Sequence, residues 1–567
     1  MKPITTSVFT FSNLIEGGFL YVDKTAAIHD LIRQTNAQYF LSRPRRFGKS
    51  LLVSTLKAIF QGRWELFEGL ALAKTDYDWK AYPVIHLDLG SSAADTPEEL
   101  EENLLREIRY NAEQNGIAVI ETGAASAFLE LIRLLVARDG KVAILVDEYD
   151  KPLLGHLGEP EVAGFQRVLK QFYSVIKTTE PLQRFALITG VSKFAKVSIF
   201  SDLNNLTDLT MDPRAATLLG YTQEELEAAF PDHIERLAGA IGKSRAETLD
   251  ELRIWYNGYR FEAGAPTVYN PVSVMKCFDT QQFKNYWFET GTPTFLIDML
   301  RRTPLDLGGL SAPETAFSTY DPAALAPLPL LVQTGYLTIQ GATTTGRRTQ
   351  YRLGFPNYEI EESFSMWLAE GFSRTPQPEL NSALNRMLEA LERGDVPGML
   401  EPLKIFFAQV PNTIAIEQEK YYQTIFFCVF KLIGAMTEAE VSTNIGRIDA
   451  VVKTAAGVFV FEFKLNGTAD EALAQIHAKR YFEPYLGDVH PVTLVGVEFS
   501  RETRNIGEHR IELLNAPAPA AAGVHEPGAP FVDAVPDASR NAREIARRMQ
   551  AKGIDPAIIA EVTGVRM

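Results

Sequence analysis

Residues 43–50, with the letters RPRRFGKS, constrain the fold of this chain more than any other segment. They follow an apolar, strand-like stretch at residues 38–41 and lead directly into an apolar helical pattern at residues 51–60. A strand, a short loop containing Gly-Lys-Ser and a helix, in that order, are typical of a phosphate-binding loop in a sheet flanked by helices. The segment therefore predicts a parallel α/β core.

Two side chains of this loop have the chemistry that a nucleotide phosphate requires. Backbone N–H groups at a helix N-terminus face the phosphates, a lysine reaches the terminal phosphates, and a Ser or Thr hydroxyl ligates Mg²⁺. Lys49 and Ser50 are the candidates for these side chains. Arg43 stands where the motif usually has its first glycine, and a surface turn explains the tripeptide alone equally well. The predicted nucleotide-binding residues of the loop are Arg46, Phe47, Gly48, Lys49, Ser50 and Leu51.

A pair of acids about a hundred residues later supports the nucleotide interpretation. The apolar run within residues 141–150 ends in Asp147 and Glu148, which indicates a buried parallel strand with carboxylates at its carboxyl end. Asp147 is predicted to bind the nucleotide by holding the water shell of Mg²⁺, and Glu148 to orient the attacking water. The alternative is an ordinary solvated strand end.

Other polar residues near this predicted site have two interpretations each. Thr189 and Ser192 end a third apolar strand, where they either sense the terminal phosphate or are plain strand-end hydroxyls. Arg43, Arg45 and Arg46 either neutralise nucleotide charge, in one chain or across an interface, or pair with the chain's many carboxylates. The pattern favours a nucleotide role for one arginine without indicating which.

A second candidate site lies near the end of the chain, where residues 447–464 predict a β-hairpin. Its strands are expected at residues 448–452 and 458–464, joined by a turn at residues 453–457. Alternation along the second strand places Val458, Val460, Glu462 and Lys464 on one face and Phe459, Phe461 and Phe463 on the other. A carboxylate and an ammonium at the end of an apolar strand need partners, because burying them unpaired costs several kcal/mol.

Asp449 is expected within reach of Glu462 across this hairpin. Two carboxylates from neighbouring strands can share a divalent metal, and Lys464 can orient or activate the attacking water for phosphodiester hydrolysis. The alternative is a satisfied acid–lysine pair at a sheet edge.

The whole chain resembles the AAA-ATPase-like proteins that carry a PD-(D/E)XK nuclease domain at their C-terminal end. The resemblance extends from about residue 4 to about residue 500. The segments that carry it are residues 21–25, 43–50, 146–152, 255–259, 269–271, 331–337, 446–449 and 461–464. The arginine at the first glycine position of the loop looks like that family's own form.

This resemblance implies roles for the C-terminal residues. Asp449 and Glu462 would be metal ligands, Lys464 the catalytic lysine, and Gln475 a residue that lines the site from the next helix. A further acid would come from Glu419 or Glu440. Such domains can also lose activity and still bind nucleic acid.

Composition limits the functions open to the chain. Its 567 residues exceed a single core, and a net charge of −15 argues against a body coated in nucleic acid, although a local basic groove is compatible with it. The two cysteines, Cys277 and Cys428, predict neither a disulfide framework nor a zinc site. Residues 1–18 lack the pattern of a signal peptide, and no stretch is long enough to span a bilayer, so we expect a cytoplasmic protein.

The expected fold class is α/β multidomain, with a P-loop NTPase core of parallel sheet and helical subdomain, and a C-terminal restriction-endonuclease-like α/β domain. The middle region predicts a packing corner of aromatic residues at residues 255–261 and a hairpin that turns through residues 341–346. The predicted boundaries are 1–210 for the AAA-ATPase-like domain, 211–395 for a helical and mixed lid and connector, 396–514 for the nuclease-like domain, 515–538 for a flexible linker, and 539–567 for a short helical tail. This tail reads either as a helix-turn-helix or as a docking or oligomerisation hairpin.

Together these features predict an ATPase with a nuclease-like phosphodiesterase domain. ATP and Mg²⁺ are the expected cofactors, nucleic acid (DNA before RNA) is the expected partner, and a homo-oligomer is compatible with the pattern. The alternative is a nucleotide-dependent switch or scaffold whose nuclease fold is an inactive binding module. A helicase-like motor is disfavoured by the acidic charge and by the lack of a second nucleotide-binding core.

Overall fold

The structure is a computed structural model, and most of residues 1–514 are described in it. The described residues are 1–156, 159, 161–193, 206–287, 294–303, 305, 310–317, 327–408, 418–437, 442–444, 448–465, 467–486, 490–500, 502–503 and 505–514. Within these ranges, side chains are not described at 91, 294–295, 418–423, 435–437, 442–444, 448–449 and 465. The predicted linker and tail lie outside the described residues.

In the first half, helices separate most of the strands up to residue 208, as the sequence predicts, and four helices follow. The elements of this half are α1 Phe11–Glu16, α2 Thr25–Ile32, β1 Ala37–Ser42, α3 Lys49–Phe60, β2 Val84–Asp88, α4 Pro97–Gln114, α5 Ala124–Asp139, β3 Val142–Asp147, α6 Lys151–Leu154, α7 Val162–Thr178, β4 Gln183–Gly190, β5 Thr207–Asp208, α8 Gln223–Ala229, α9 Pro231–Ile241, α10 Arg245–Tyr256 and α11 Pro271–Thr280.

The second half mixes helices with two antiparallel or mixed sheets. Its elements are α12 Thr294–Arg302, β6 Ser311–Pro313, α13 Pro327–Thr334, β7 Thr338–Thr345, β8 Arg348–Gly354, α14 Tyr358–Ser373, α15 Gln377–Glu392, α16 Val396–Ala408, α17 Gln418–Thr437, β9 Ser442–Asn444, β10 Ile448–Thr454, β11 Gly457–Leu465, α18 Ala469–Lys479, β12 Val492–Ser500 and β13 Asn505–Leu514.

The N-terminal sheet is parallel, with strand order β2-β3-β4-β1-β5. Every residue of β1, β3 and β4 is buried, because helices cover both faces of the sheet. One face packs with α3, and the other packs with α4, α5 and α7. Strand β4 lies between β1 and β3. The phosphate loop after β1 and the acids at the end of β3 therefore lie on either side of the carboxyl end of β4.

The helical subdomain that follows the parallel sheet has clear helix-start signals in its sequence. Thr222 and Glu225 form a capping box at the start of α8, and Ser244 and Glu247 form another at the start of α10. The apolar faces of α8, α9, α10 and α11 pack into one cluster. The predicted aromatic corner is confirmed, since Tyr256 and Tyr259 are fully buried.

Gly258 allows the closest approach in this corner. Its φ of +108° lies in the region that favours glycine, and an added Cβ would overlap the carbonyl of Pro356. The contact fixes the corner against the segment that leads into α14.

The middle-region hairpin exists, but its predicted turn is wrong. Strands β7 and β8 extend to Thr345 and Arg348, which leaves only Gly346 and Arg347 as the turn. Threonines at residues 343–345 read as loop in the sequence, yet they are β-branched and suit a two-stranded ribbon that is exposed to solvent. The third strand of this sheet, β6, pairs with residues 350–352 in the middle of β8.

The C-terminal sheet has the strand order β13-β12-β11-β10-β9, with β11 and β12 parallel and the other pairs antiparallel. The predicted division of faces along β11 is confirmed. Phe463 stacks on Phe426 of α17 with ring centroids 4.2 Å apart, whereas Val458 and Val460 pack with Ile476 of α18. Among the described residues, no helix combines the length and apolarity that crossing a bilayer requires.

Candidate functional site

The loop between β1 and α3 opens on a cavity of about 370 Å³. Its residues Arg46 and Gly48 both have left-handed φ values, +66° and +90°, which turn the chain sharply before α3 begins. The first N–H groups of a helix have no partner within it, so this end of α3 can bind an anion. The cavity is bordered by Arg45, Arg46, Phe47, Gly48, Lys49, Ser50, Leu51 and Glu148, which include every nucleotide-binding residue predicted in the loop.

Lys49 is buried beneath this loop. Its ammonium donates hydrogen bonds to the carbonyl oxygens of Arg43 and Pro44, both at 2.9 Å. Burial lowers the pKa of Lys49, and the charges of Asp147, Asp150 and Glu148 oppose that shift. The acids at the carboxyl end of β3 therefore favour the charged form of Lys49, and its ammonium is held by carbonyl oxygens that a phosphate oxygen can replace.

The acids at the end of β3 are held by hydroxyls at the end of β4. Thr189 donates to Asp147 at 2.6 Å, and the N–H of Glu148 donates to the same oxygen at 3.0 Å. Ser192 donates to Asp150 through its hydroxyl at 2.6 Å and through its N–H at 2.8 Å. Both hydroxyls thus orient buried carboxylates, which neither interpretation of the sequence had specified.

Glu148 differs from its buried neighbours because it borders the cavity. Its φ of +53° turns the chain directly after β3. Partial burial raises the pKa of Glu148, and the charge of Asp147 raises it further. A carboxylate with a raised pKa at the cavity wall is suited to accept a proton.

The three arginines of the loop point in different directions. Arg43 is buried, donates to the carbonyl oxygens of Thr210 at 2.8 Å and Ala215 at 2.7 Å, and lies over the ring of Phe261. Burial lowers its pKa to about 9. Arg43 therefore supports the loop from behind, whereas Arg45 and Arg46 border the cavity, and the nucleotide role expected of one arginine stays a prediction. Arg45 is exposed at the cavity, whereas Arg46 is half-buried.

Phe47 contributes packing to the loop. Its ring meets those of Tyr259 and Phe261 edge-on, with centroids 4.8 Å and 5.4 Å away. Any contact of Phe47 with a nucleotide is therefore made by its backbone.

A group of apolar residues that lines the cavity was not predicted from the sequence. It combines an N-terminal segment with the helical subdomain, so no single stretch of sequence signals it. Its apolar residues include Val8, Leu20, Tyr21, Leu218, Leu219, Val272 and Met275. A wall of this kind suits the flat, apolar faces of a nucleobase.

At the C-terminal site, Glu462, Lys464 and Gln475 form one hydrogen-bonded group. The Gln475 amide donates to Glu462 Oε1 and accepts from the Lys464 ammonium, which lies 3.7 Å from the same Oε1. Glu462 is 1% exposed, and its second oxygen, Oε2, is buried with no hydrogen-bond partner among the described residues. A buried carboxylate with an unused oxygen fits a cation, because a positive charge offsets its desolvation.

The backbone brings Asp449 directly opposite Glu462 in the β10–β11 pair. The side chains of Asp449 and Glu419 lie outside the described residues, as does the whole of Glu440. In the part of the chain that the structure describes, no group of three His, Cys, Asp or Glu side chains is arranged to hold a metal ion. Glu462 is thus the described carboxylate of this predicted metal site.

Comparison with known proteins supports the two domain families predicted from the sequence. Residues 4–200 match a family described as "Predicted AAA-ATPase", and residues 417–509 match the PD-(D/E)XK nuclease superfamily. A protein of Azotobacter chroococcum mcd 1, described as an uncharacterized protein in the vnfD 5′ region, is 37% identical over 528 residues. The match covers 90% of this chain and 99% of the relative.

Two solved structures also match, with low TM-scores. The ORC1 protein of Aeropyrum pernix in complex with DNA is 12% identical, with a TM-score of 0.23, over 60% of this chain and 92% of that one. The ORC2 protein of the same organism, in ADPNP and ADP complexes, is 13% identical, with a TM-score of 0.26, over 59% and 88%. These scores are too low to relate the architectures in detail.

Proposed function

Because this chain belongs to the AAA-ATPase-like family and carries a C-terminal domain of the PD-(D/E)XK nuclease superfamily, we propose that it hydrolyses ATP and cleaves DNA in a Mg²⁺-dependent reaction. The observation that carries the proposal is the position of Lys49. Its buried ammonium is held by the carbonyl oxygens of Arg43 and Pro44 in the loop before α3, and the charges of Asp147, Glu148 and Asp150 act on its pKa.

In the proposed ATP site, each residue has a distinct task. Lys49 exchanges its carbonyl partners for the terminal phosphates, and the N–H groups at the start of α3 bind the remaining phosphate oxygens. Ser50 and Asp147 would hold Mg²⁺, which supplies charge neutralisation on the phosphates. Glu148 orients the attacking water and accepts its proton, which its raised pKa favours.

In the proposed nuclease site, Glu462 and Asp449 would hold Mg²⁺, which activates water and stabilises charge on the scissile phosphate. The Oε2 atom of Glu462, which has no hydrogen-bond partner in the part of the chain that the structure describes, supports this assignment. Lys464 donates hydrogen bonds to the phosphate or the attacking water. Gln475 holds the side chains of Lys464 and Glu462 in position through its two hydrogen bonds.

An exposed basic ribbon supports nucleic acid as the substrate. We define it as residues 338–354, the β7–β8 hairpin, which contains no acidic residue in a chain of net charge −15. Arg347, Arg348 and Arg352 are exposed on it and form no ion pair with any described residue. A two-stranded ribbon fits the major groove of a duplex, and arginines there bind phosphates.

The switch or scaffold remains a second candidate because the nuclease-site hydrogen bonds are largely complete. Gln475 already satisfies Lys464 and one oxygen of Glu462, as it would in an inactive binding module. The two free, buried cysteines suit a reducing compartment, and we propose a cytoplasmic location under either candidate.

The test compares wild type with Lys49→Ala and Lys464→Ala in assays of ATP hydrolysis and DNA cleavage. We expect Lys49→Ala to lose at least about 100-fold in ATPase activity and Lys464→Ala to lose a similar factor in cleavage. Lys57→Ala, at the other end of α3, is the matched control and should keep both activities. DNA binding without cleavage by the wild type would favour the scaffold instead.

A further inference from the structure

We propose that Glu359, in the first turn of α14, is a positioning residue of the ATP site that acts through Arg46 of the phosphate loop. The inference rests on the proposed ATP binding and adds a residue more than 300 positions away in sequence from the loop. It makes the middle region part of the nucleotide site.

The first step of the connection is the side chain of Arg46. This residue borders the cavity, and its guanidinium donates a hydrogen bond to the carbonyl oxygen of Tyr286, away from the loop. The φ of Arg46 is +66°, an unfavourable value for a residue with a Cβ. The bond to Tyr286 therefore helps to hold the loop in the conformation that precedes Gly48.

The second step passes through a single peptide group. The carbonyl of Tyr286 and the N–H of Trp287 belong to the same peptide unit, and that N–H donates to Glu359 Oε1 at 2.8 Å. A carboxylate on one side of a peptide polarises it and makes its carbonyl a better acceptor for the guanidinium on the other side. The N–H of Tyr286 at 2.6 Å and the hydroxyl of Ser273 at 3.2 Å donate to the same oxygen of Glu359.

Burying the carboxylate of Glu359 lowers the stability of the fold. It is 0% exposed, and its second oxygen has no hydrogen-bond partner among the described residues. Burial raises its pKa to about 7, while the N–H of Trp287, Ser273, the N–H of Tyr286 and Arg46 act in the opposite direction. A neutral residue would stabilise the fold more, so the benefit of the charge lies in what it holds, which is Arg46.

The charged and titratable groups around Glu359 do not change the conclusion that its ionised form favours Arg46. They are Arg46 of the loop, Lys276 and Cys277 of α11, Tyr256 of α10, Tyr259 and Tyr286. Burial raises the pKa values of the cysteine and the tyrosines, which stay neutral, so the two cations face one carboxylate. Ionised Glu359 holds Arg46 and protonated Glu359 releases it.

The experiment measures the dissociation constant of Mg²⁺-ATP for the full chain by calorimetry, at about pH 8 and about pH 6. The variants are Glu359→Gln, Arg46→Ala, their double mutant, and Glu362→Gln as the matched control. Glu362 lies on the same helix and accepts a hydrogen bond from Asn285, outside the peptide that holds Arg46.

At about pH 8, we expect Glu359→Gln and Arg46→Ala each to weaken ATP binding about 5-fold or more, and the double mutant no further, because both remove one connection. ATP itself titrates near neutral pH, so the readout is the ratio of wild type to Glu359→Gln, which should fall towards one at about pH 6. Glu359→Gln should also raise the melting temperature at about pH 8, which a merely structural glutamate would not do.

Several results overturn the inference. They are wild-type affinity in Glu359→Gln, full additivity in the double mutant, or an equal loss in Glu362→Gln. If Glu359→Gln fails to fold, Arg46→Lys decides, since a lysine that restores full affinity would show that the guanidinium bond to the peptide is dispensable. Failure of the proposed function gives a different result. A wild type that binds no ATP overturns both the proposed ATP site and the role of Glu359. ATP binding that is lost in Lys49→Ala but kept in Glu359→Gln overturns only the role of Glu359.

Discussion

Among the residues of the two proposed sites, Glu462 has the environment that most clearly favours binding of a cation. It is buried and hydrogen-bonded through one oxygen, and no described residue bonds its other oxygen. A ligand that binds only the folded state stabilises it by mass action, so a cation that binds Glu462 should raise the melting temperature.

We therefore expect Mg²⁺ or Mn²⁺ at millimolar concentration to raise the melting temperature of the wild type by a few degrees. In Glu462→Gln the cation response should disappear and cleavage should fall at least about 100-fold, because an amide cannot replace the charge. Scanning calorimetry with and without the cation gives the first result. Glu508→Gln, on the outer strand β13, is the control. An equal cation response in both variants would contradict a metal at Glu462.

Several residue positions were predictable because their sequence signals are local. Lys49 and Asp147 follow strands whose apolar runs are unmistakable, and Glu462 and Lys464 sit at a predictable register. Arg43 was not predictable, because its carbonyl partners come from Thr210 and Ala215, far along the chain. Glu359 was missed for the same reason: its partners are peptide N–H groups about 70 residues upstream.

Among the elements, the basic ribbon offers a direct test of the nucleic-acid interaction. We expect the triple substitution Arg347→Ala, Arg348→Ala, Arg352→Ala to weaken duplex DNA binding at least about 10-fold. The slope of log affinity against log salt should fall by about two to three, since each phosphate contact contributes about one. The double substitution Arg386→Ala, Arg393→Ala on and beside α15 is the control. An unchanged salt slope in the triple variant would exclude the ribbon from the interface.

The corner at Gly258 makes a prediction about stability. Its φ and the overlap with Pro356 mean that Gly258→Ala should lower the free energy of unfolding by roughly 3 kcal/mol or more. Gly239, in the interior of α9, has open space around it, so Gly239→Ala should stabilise by roughly 0.5 to 1 kcal/mol. Urea unfolding measures both, and equal effects of the two substitutions would contradict the packing described at the corner.

Elements with one strong periodicity were predictable, and the polar ribbon was not. The strands of the parallel sheet are continuous apolar runs, and β11 alternates cleanly between aromatic and site-facing residues. The outer part of the ribbon, residues 343–349, has little apolar signal on either face, so its pairing depends on the tight turn at Gly346 and on β6, which pairs with residues 350–352.

In the molecule as a whole, the two proposed sites are joined by packed helices. Helix α14, which carries Glu359, packs against α17, and Glu361 of α14 pairs with Lys431 of α17 at 2.7 Å. Helix α17 in turn stacks its phenylalanines on β11, the strand of Glu462. A change in the phosphate loop therefore has a continuous route of contacts to the nuclease site.

The measurement that tests the account most directly is cleavage of a linear DNA duplex by the full chain in Mg²⁺, with and without ATP. We predict that ATP changes the cleavage rate of the wild type several-fold, that Lys49→Ala cleaves without responding to ATP, and that Lys464→Ala does not cleave. Cleavage that is the same with and without ATP in the wild type would contradict the coupling of the two sites. Cleavage that survives in Lys464→Ala would contradict the nuclease site itself.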